Sequence, residues 1–464
     1  MKNITIKKIL GLTKGELIIG NEDFECVNFS KDTRQIQEND TYVGIKGEKF
    51  DGSAFWKEAL EKGARCVIVE NIDFSKENLE NFKDKIIIKV ESTFDALYKI
   101  AIYKREINNI PVVAITGSVG KTSTKDMVAS VVSQKYKTLK TIGNNNNNIG
   151  LPFTILRLKD EEIMVLEMGM NHFGEISLLS KIAKPNICVI TNIGTSHIGL
   201  LGSRENILKA KLEILDGAEN PTIIINNDND LLHKWYIENR ESKNIVTFGI
   251  ENESDIMPRN LELHHDGSEY DCNINGEDVK VKVPIAGEHF VLNALCATSV
   301  GKVLNIEPNK ILNGIANVEL TKKRMEVIEK NGITIINDAY NASPESIKES
   351  LKYLKTFKEN RKIAILGDVL ELGEYNEELH RKIGEEVAKE EVDILICYGD
   401  ASRYVVDQAK KEGMNEQNIY YFEDKNQILD LLKKEVKQGD VLLFKASNGM
   451  KFFDLATELE KYIS

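Results

Sequence analysis

No stretch of this 464-residue sequence approaches the ~20 consecutive apolar residues that a membrane-crossing helix needs. The stretch Met1 to Leu12 carries lysines but neither a long apolar core nor a cleavage site, so no signal peptide is expected there. Cysteine is sparse and scattered. Cys26, Cys66, Cys188, Cys272, Cys296 and Cys397 form no Cys-x-x-Cys pair, and most sit inside apolar runs. They read as small buried hydrophobes in a reducing cytosol rather than as disulfides or zinc ligands. Positive charge is also short, with 61 basic against 73 acidic side chains and a net charge of −12. That balance argues against a nucleic-acid-binding surface and leaves room for a local basic pocket. Internal repeats and long low-complexity linkers are absent. The one biased tract, Asn144–Asn148, is too short for a prion-like segment and reads as a polar or ligand-facing loop. What remains is a soluble, cytoplasmic α/β chain of about three domains at ~150 residues each.

One further absence concerns the stretch Gly117-Ser118-Val119-Gly120-Lys121-Thr122-Ser123. An apolar run, Val112–Ile115, precedes it, and a segment with Met127, Val128, Val131 and Val132 on one helical face follows. Strand, glycine-rich turn and helix aim backbone N–H groups and a helix N-terminus at phosphate. Lys121 would reach the outer phosphates and the Thr122 hydroxyl would ligate Mg²⁺. The strict motif wants a glycine five residues before Gly120, where this chain has Ile115. On the pattern alone, an ordinary strand-to-helix turn stays open.

Residues 1–108 read as a small α/β domain, with strands at Cys66–Val69 and Ile86–Val90 and helices at Phe55–Lys62 and Thr93–Arg105. Ahead of them lie Asp32-Thr33-Arg34 and Lys46-Gly47, either turns with solvated cations or an anion-binding surface. Asn108 to Pro111 marks a boundary. In residues 109–318, apolar runs end in polar residues: Ile163–Leu166 in Glu167, Ile187–Ile190 in Thr191-Asn192, and Ile223–Ile225 in Asn226. Helix-length segments separate them, which predicts a mostly parallel sheet whose ligand side lies beyond the strands' carboxyl ends. Residues 255–283 alternate around Asn275-Gly276 and read as a small antiparallel insertion. Residues 319–464 alternate strand and helix as a doubly wound, Rossmann-like domain. No Gly-x-Gly-x-x-Gly follows its first strand, so a dinucleotide is not indicated.

Four features of the central region converge on that ligand side. Glu167 stands where a second Mg²⁺ ligand of a nucleotide site would lie, and His197 follows the next strand. His289 and Asn293 share one helix face, facing a base or ribose or tying the region to its neighbour. Lys211, by spacing alone, reads as a solvated helical lysine.

Several motifs then resemble the Mur ligases, ATP-dependent amide-bond-forming enzymes of peptidoglycan synthesis. In the central region they are Thr116–Thr122, Gly143–Pro152, Glu167–Asn171, Thr191–Gly194, Leu201–Glu205 and Ala286–His289. The third domain adds Asp338-Ala339-Tyr340-Asn341-Ala342-Ser343-Pro344, Leu366–Glu374 and His380. The resemblance covers all three domains, and the shortened phosphate loop is the family's own form. Asp338–Pro344 and Gly367–Gly373 point to the branch that joins D-alanyl-D-alanine to UDP-N-acetylmuramoyl-tripeptide. A family member adding a single amino acid, or a non-catalytic nucleotide-binding homologue, is the alternative.

The resemblance implies ATP at Gly117, Ser118, Val119, Gly120, Lys121, Thr122 and Ser123, with His289, Asn293, Arg324 and Asp338. It implies a UDP-binding face at Asp32, Thr33, Arg34, Lys46 and Gly47, and substrate contacts at Asn146, Asn147 and Asn341. It implies two Mg²⁺ ions held by Thr122, Glu167, His197 and Lys211, with Lys211 carbamylated by CO₂ and Lys121, Lys211 and His197 catalytic. A monomer is expected. One departure stands out: the family usually reads Lys-Gly-Ser-Arg where this chain has Lys445-Ala446-Ser447-Asn448. Any role of that arginine has no counterpart here, and Lys451 lies three residues on.

Overall fold

The computed structural model describes residues 4–47, 50–321 and 324–463, so the first residues of the Met1–Leu12 stretch lie outside the described residues. Among the described residues the chain builds three large sheets in succession, with a two-stranded and a three-stranded antiparallel sheet beside them. The first has five strands in the order Glu16–Ile19, Ile86–Lys89, Cys66–Val69, Thr41–Val43, Phe29–Ser30, parallel except for the first pairing.

The second sheet has six strands, all parallel, in the order Ile245–Phe248, Thr222–Asn226, Ile187–Ile190, Val112–Thr116, Ile163–Glu167, Thr138–Lys140. Its inner strands are buried on both faces, which is why they read as unbroken apolar runs rather than as alternating ones. Val112–Thr116 comes first in sequence and lies in the middle. The chain fills one side of it, then crosses to the other between Ile163–Glu167 and Ile187–Ile190. That reversal opens a crevice beyond the carboxyl end of the first strand, the position where open α/β sheets take ligands. The phosphate loop, Glu167 and Thr191-Asn192 all emerge there. The expected insertion is a three-stranded antiparallel sheet, with Ser268–Ile274 and Glu277–Val283 flanking Asn275-Gly276.

The third sheet orders Glu326–Lys330, Ile333–Asn337, Asp440–Lys445, Arg361–Gly367, Ile394–Tyr398, Ile419–Phe422. All are parallel except Glu326–Lys330, a half-buried antiparallel edge strand with no counterpart among the sequence expectations. Helices Pro344–Lys355, Asn376–Lys389, Ser402–Lys411, Lys425–Glu435 and Phe452–Tyr462 cover it, in the alternation with strands that was expected. The mixed α/β architecture with mainly parallel sheets is therefore the one expected. All six cysteines are free and buried, and no described helix is long and apolar enough to cross a membrane.

Candidate functional site

The phosphate loop joins strand Val112–Thr116 to helix Lys121–Val132 and is pinned from behind by the segment after the neighbouring strand. Ser118 N–H donates to Asn192 C=O (3.0 Å) and Val119 N–H to Asn192 Oδ1 (2.9 Å). The Thr191 hydroxyl donates to Val119 C=O (2.8 Å). A Cβ on Gly117 would run into that Thr191 hydroxyl, and Gly120 has φ +78°, so the glycines serve close approach and a left-handed turn. Lys121 Nζ curls back onto the carbonyls of Gly117 (2.7 Å) and Ser118 (3.2 Å). Burial lowers its pKa, the Glu167 charge pulls it back up, and Arg324 lowers it again.

Glu167 ends the adjacent strand at 2% exposure. Its Oε1 accepts from Asn146 Nδ2 (2.7 Å), while Oε2 is buried and has no hydrogen-bond partner. A buried carboxylate oxygen without a donor is costly, and a cation is what such a group is suited to receive. His197 caps a short helix, Ile198–Leu201, in a left-handed conformation (φ +64°).

Lys211 overturns its reading as a solvated lysine. Helix Arg204–Leu212 turns Ile207, Ala210 and Lys211 to the interior, and Lys211 is 2% exposed. It has no ion-pair partner among the described residues. Burial, reinforced by the nearby Lys121 charge, pushes its amine well below an ordinary lysine.

The third domain closes over this floor. One cavity of about 740 Å³ is lined from the central region by Ser118–Thr124, Asn146, Asn147, Glu167, Asn192, His197, His289 and Asn293. From the third domain it is lined by Arg324, Asp338, Tyr340, Asn341, Glu345, Glu349 and Lys445. Asn293 takes a hydrogen bond from the Thr124 hydroxyl (2.7 Å) and keeps a buried, unpartnered Nδ2. Arg324 lies over the Tyr340 ring (4.3 Å) with Nε buried and unpartnered. The cavity thus has donors waiting on both walls.

Closure is held by carboxylates. Glu345 Oε1 accepts from Thr195 N–H (2.6 Å), Glu371 Oε2 lies 2.5 Å from His197 Nδ1, and Glu349 sits 3.8 Å from His289 Nδ1. Burial raises the Glu349 pKa, but His289 and Lys352 bring it down to about 2. The hydrogen bond from His197 lowers the Glu371 carboxyl more than burial raises it.

The other expected residues separate from this cavity. Asp32, Thr33, Arg34, Lys46 and Gly47 lie on the first sheet's loops and do not line it. There Asp32 clasps Arg34 at Nε (2.8 Å) and Nη2 (2.6 Å), which holds the Asp32 carboxyl at about 2. Gly117 and Lys211 are not among the residues that line it.

Sequence reasoning missed three groups. Lys445 is buried at a strand end and bonded to Asp338, so the strand Val441–Phe444 runs straight into a site cation. Glu345 and Glu349 sit in the first turns of helix Pro344–Lys355, where acidic residues look like ordinary helix-dipole partners. Asn448 donates from its side chain to Tyr340 C=O (2.9 Å) and from its backbone N–H to Asn341 Oδ1 (3.2 Å), so it ties two loops of the third domain together. Lys451 does not line the cavity.

Family models match three consecutive stretches of the chain: the Mur ligase family, catalytic domain, at residues 28–105; the Mur ligase middle domain at 115–301; and the Mur ligase, glutamate ligase domain, at 323–448. The UDP-N-acetylmuramoyl-tripeptide–D-alanyl-D-alanine ligase of Bacillus subtilis (strain 168) is 36% identical over 464 residues, 98% of each chain. Among solved structures, MurF from Acinetobacter baumannii superposes with a TM-score of 0.87 at 28% identity over 99% of both chains. MurF ligase from Thermotoga maritima, in complex with ADP, gives 0.80 at 30% identity over 94% of this chain and 97% of that one.

Proposed function

This chain belongs to the Mur ligase family, and we propose that it joins D-alanyl-D-alanine to UDP-N-acetylmuramoyl-tripeptide at the expense of ATP, releasing ADP and phosphate. The observation that carries the reading is the cavity itself: Lys121, Glu167 with its unpartnered oxygen, His197 and the third-domain cation Arg324 line one shared space.

The tripeptide's terminal carboxylate attacks the γ-phosphorus of ATP and expels ADP, giving an acyl phosphate. The dipeptide amine then adds to that carbonyl, the tetrahedral intermediate expels phosphate, and the amine proton leaves to solvent. Both steps bring anions together, so the protein's task is to neutralise charge rather than to supply a nucleophile. Lys121 serves the transferring phosphoryl group. It must leave its two carbonyl partners to do so, and burial favours the exchange because a phosphate satisfies its charge where carbonyls do not. Arg324 and Lys445 bring positive charge from the opposite wall, with Lys445 held in place by Asp338.

Thr122, Glu167, His197 and Lys211 are the residues that would hold Mg²⁺, which when bound neutralises polyphosphate and carboxylate oxygens. A bare lysine is no ligand, but Lys211 is chemically suited to become one. Its buried amine disfavours the ammonium form, and a neutral amine adds to CO₂: the N–C bond forms, a proton leaves, and a carboxylate-like group results. ATP occupies the phosphate loop, with His289, Asn293, Arg324 and Asp338 lining the same cavity. Asn146, Asn147 and Asn341 contact the peptide substrate, and the loops at Asp32–Arg34 and Lys46-Gly47 take its UDP moiety. The residue spans 1–108, 109–318 and 319–464 act as substrate, ATP and closing domains of a cytoplasmic monomer. Because an acyl phosphate hydrolyses, the closing carboxylates Glu345 and Glu349 help catalysis by excluding water.

Phosphate release measured with each component omitted in turn tests the proposal. Release that requires both the nucleotide-sugar tripeptide and D-alanyl-D-alanine is the expected result. Release with ATP alone makes the chain a plain ATPase, and equal turnover with a single amino acid moves it to another branch of the family.

A further inference from the structure

The contact between His197 and Glu371 joins residues 174 positions apart, one from each of the two domains that enclose the cavity. The backbone is bent to make it. His197 has φ +64° and Glu371 φ +66°, both left-handed conformations that are uncommon for a residue with a side chain. The contacts around them are visible. Gly199 N–H donates to Glu371 C=O (3.1 Å), and a Cβ on Gly199 would come within 2.5 Å of Gly373 N. The Tyr375 hydroxyl donates to Gly202 C=O (2.7 Å) and steadies the same loop from the other side.

The result is a specific hydrogen bond. An ionised carboxylate only accepts, so the ring nitrogen facing Glu371 Oε2 at 2.5 Å carries the proton. In a neutral imidazole the lone pair then belongs to Nε2, which makes no hydrogen bond to any described residue. A ligating histidine needs that arrangement, with one nitrogen tethered to a carboxylate and the other free for a cation.

We propose that Glu371 is a positioning residue, supplied by the third domain, which fixes His197 in the tautomer that presents Nε2, so that the cation site of the central domain is complete only when the third domain has closed. The inference rests on the reading of His197 as a cation ligand. By linkage, whatever closure adds to cation affinity, the cation returns to closure. An enzyme whose acyl phosphate must not meet water gains from this order, because the cation that assembles the reactants is held well only in the closed form.

Two measurements on the full-length protein test it. The first is the ¹⁵N spectrum of histidine-labelled protein, with His197 assigned by its loss in His197→Gln. The wild type shows a protonated Nδ1 and an unprotonated Nε2. Glu371→Ala moves His197 toward the Nε2–H tautomer, and Glu371→Gln retains the wild-type pattern because its amide oxygen still accepts. The second is Mn²⁺ binding in the presence of ADP, followed by electron paramagnetic resonance. Glu371→Ala weakens it about 10- to 100-fold, and Glu371→Gln by much less, with ADP affinity unchanged in both. An unaltered tautomer and Mn²⁺ affinity in Glu371→Ala overturn this inference alone. Wild-type protein that binds no Mn²⁺ overturns the cation-site reading beneath it.

Discussion

Lys211 and Arg34 carry the same charge in opposite surroundings. Lys211 is 2% exposed, beside another lysine and without an ion-pair partner among the described residues. The Arg34 side chain is 82% exposed and already gripped by Asp32 through two nitrogens. The contrast extends to their neighbourhoods. Around the cavity, Glu167, Asn293 and the third domain's Arg324 each keep a buried polar atom unpartnered, whereas Asp32 and Thr33, on the first sheet's loops, find partners within the chain, although Asp40 and Thr41 beside them do keep one each. Unpartnered buried groups cost stability and are kept where a ligand will satisfy them. The central site is therefore pre-organised for a charged ligand. The N-terminal surface rests with its charges mutually neutralised and must give up an internal pair to receive an anion.

The largest effect expected from this contrast is at Lys211. Lys211→Ala lowers the ligation rate roughly 10²–10³-fold, the scale of removing one pre-organised charge-stabilising group. Lys211→Glu or an added short-chain carboxylate restores part of it. Lys211→Met, which keeps the volume and removes the unpaired amine, raises the melting temperature while activity stays lost. Full turnover by Lys211→Ala would sink the carbamate role.

Glu167→Gln repeats the test with the opposite charge. The buried oxygen loses its charge and its need for a cation, so thermal stability holds or rises while Mg²⁺-dependent nucleotide affinity falls roughly tenfold or more, a loss of about 1.4 kcal/mol. A variant that loses stability and affinity together would show that Glu167 is paired within the protein after all.

How far was this contrast legible beforehand? The strands were, because a parallel sheet buried on both faces writes itself as apolar runs ending in polar residues. Glu167 and Thr191-Asn192 were found that way. Lys211 had a signal that spacing alone underweights: it falls four residues after the buried Ile207, on the same helix face. Edge strand Glu326–Lys330 was not legible, since Glu-Val-Ile-Glu-Lys buries too little to show a pattern. The pairings of Glu345 with Thr195 and of Glu371 with His197 could not be read at all. They depend on how one domain docks on another, and local sequence carries no record of that.

A smaller effect lies at the domain clasp, midway between the two extremes. Glu349 is paired with His289 and Lys352, and its carboxyl sits at about 2 instead of the ordinary 4.5. A depressed carboxyl contributes stability that is fully present above the unfolded value and is lost as pH falls through the folded one. The clasp therefore holds above about pH 4.5 and weakens down to about pH 2. Glu349→Gln should cost roughly 1–3 kcal/mol at neutral pH. Urea titrations of the two proteins should converge as the pH approaches the lower end of that window. A constant difference across the window would assign the loss to packing rather than to charge.

The smallest effects are expected on the first sheet, and there the sign matters more than the size. Asp32 holds Arg34 through both oxygens, and Asp32 Oδ1 also accepts Arg34 N–H (3.0 Å) to cap the short turn Thr33–Gln35. Asparagine caps such turns as well as aspartate does, so Asp32→Asn keeps the turn and removes only the competing charge. If this surface takes the diphosphate of the nucleotide-sugar substrate, Arg34 must trade Asp32 for phosphate. Asp32→Asn then leaves KM for that substrate unchanged or lowers it, while Arg34→Ala raises it a few-fold. Neither alters the melting temperature, because an exposed ion pair contributes little to folding. The rise in KM with Arg34→Ala should shrink at high salt, where exposed charges are screened. The same pair of variants in the central site would behave in the reverse way, large in turnover and visible in stability. A rise in KM from Asp32→Asn as well would mean that Asp32 itself contacts the substrate, and the two regions would differ in exposure but not in kind.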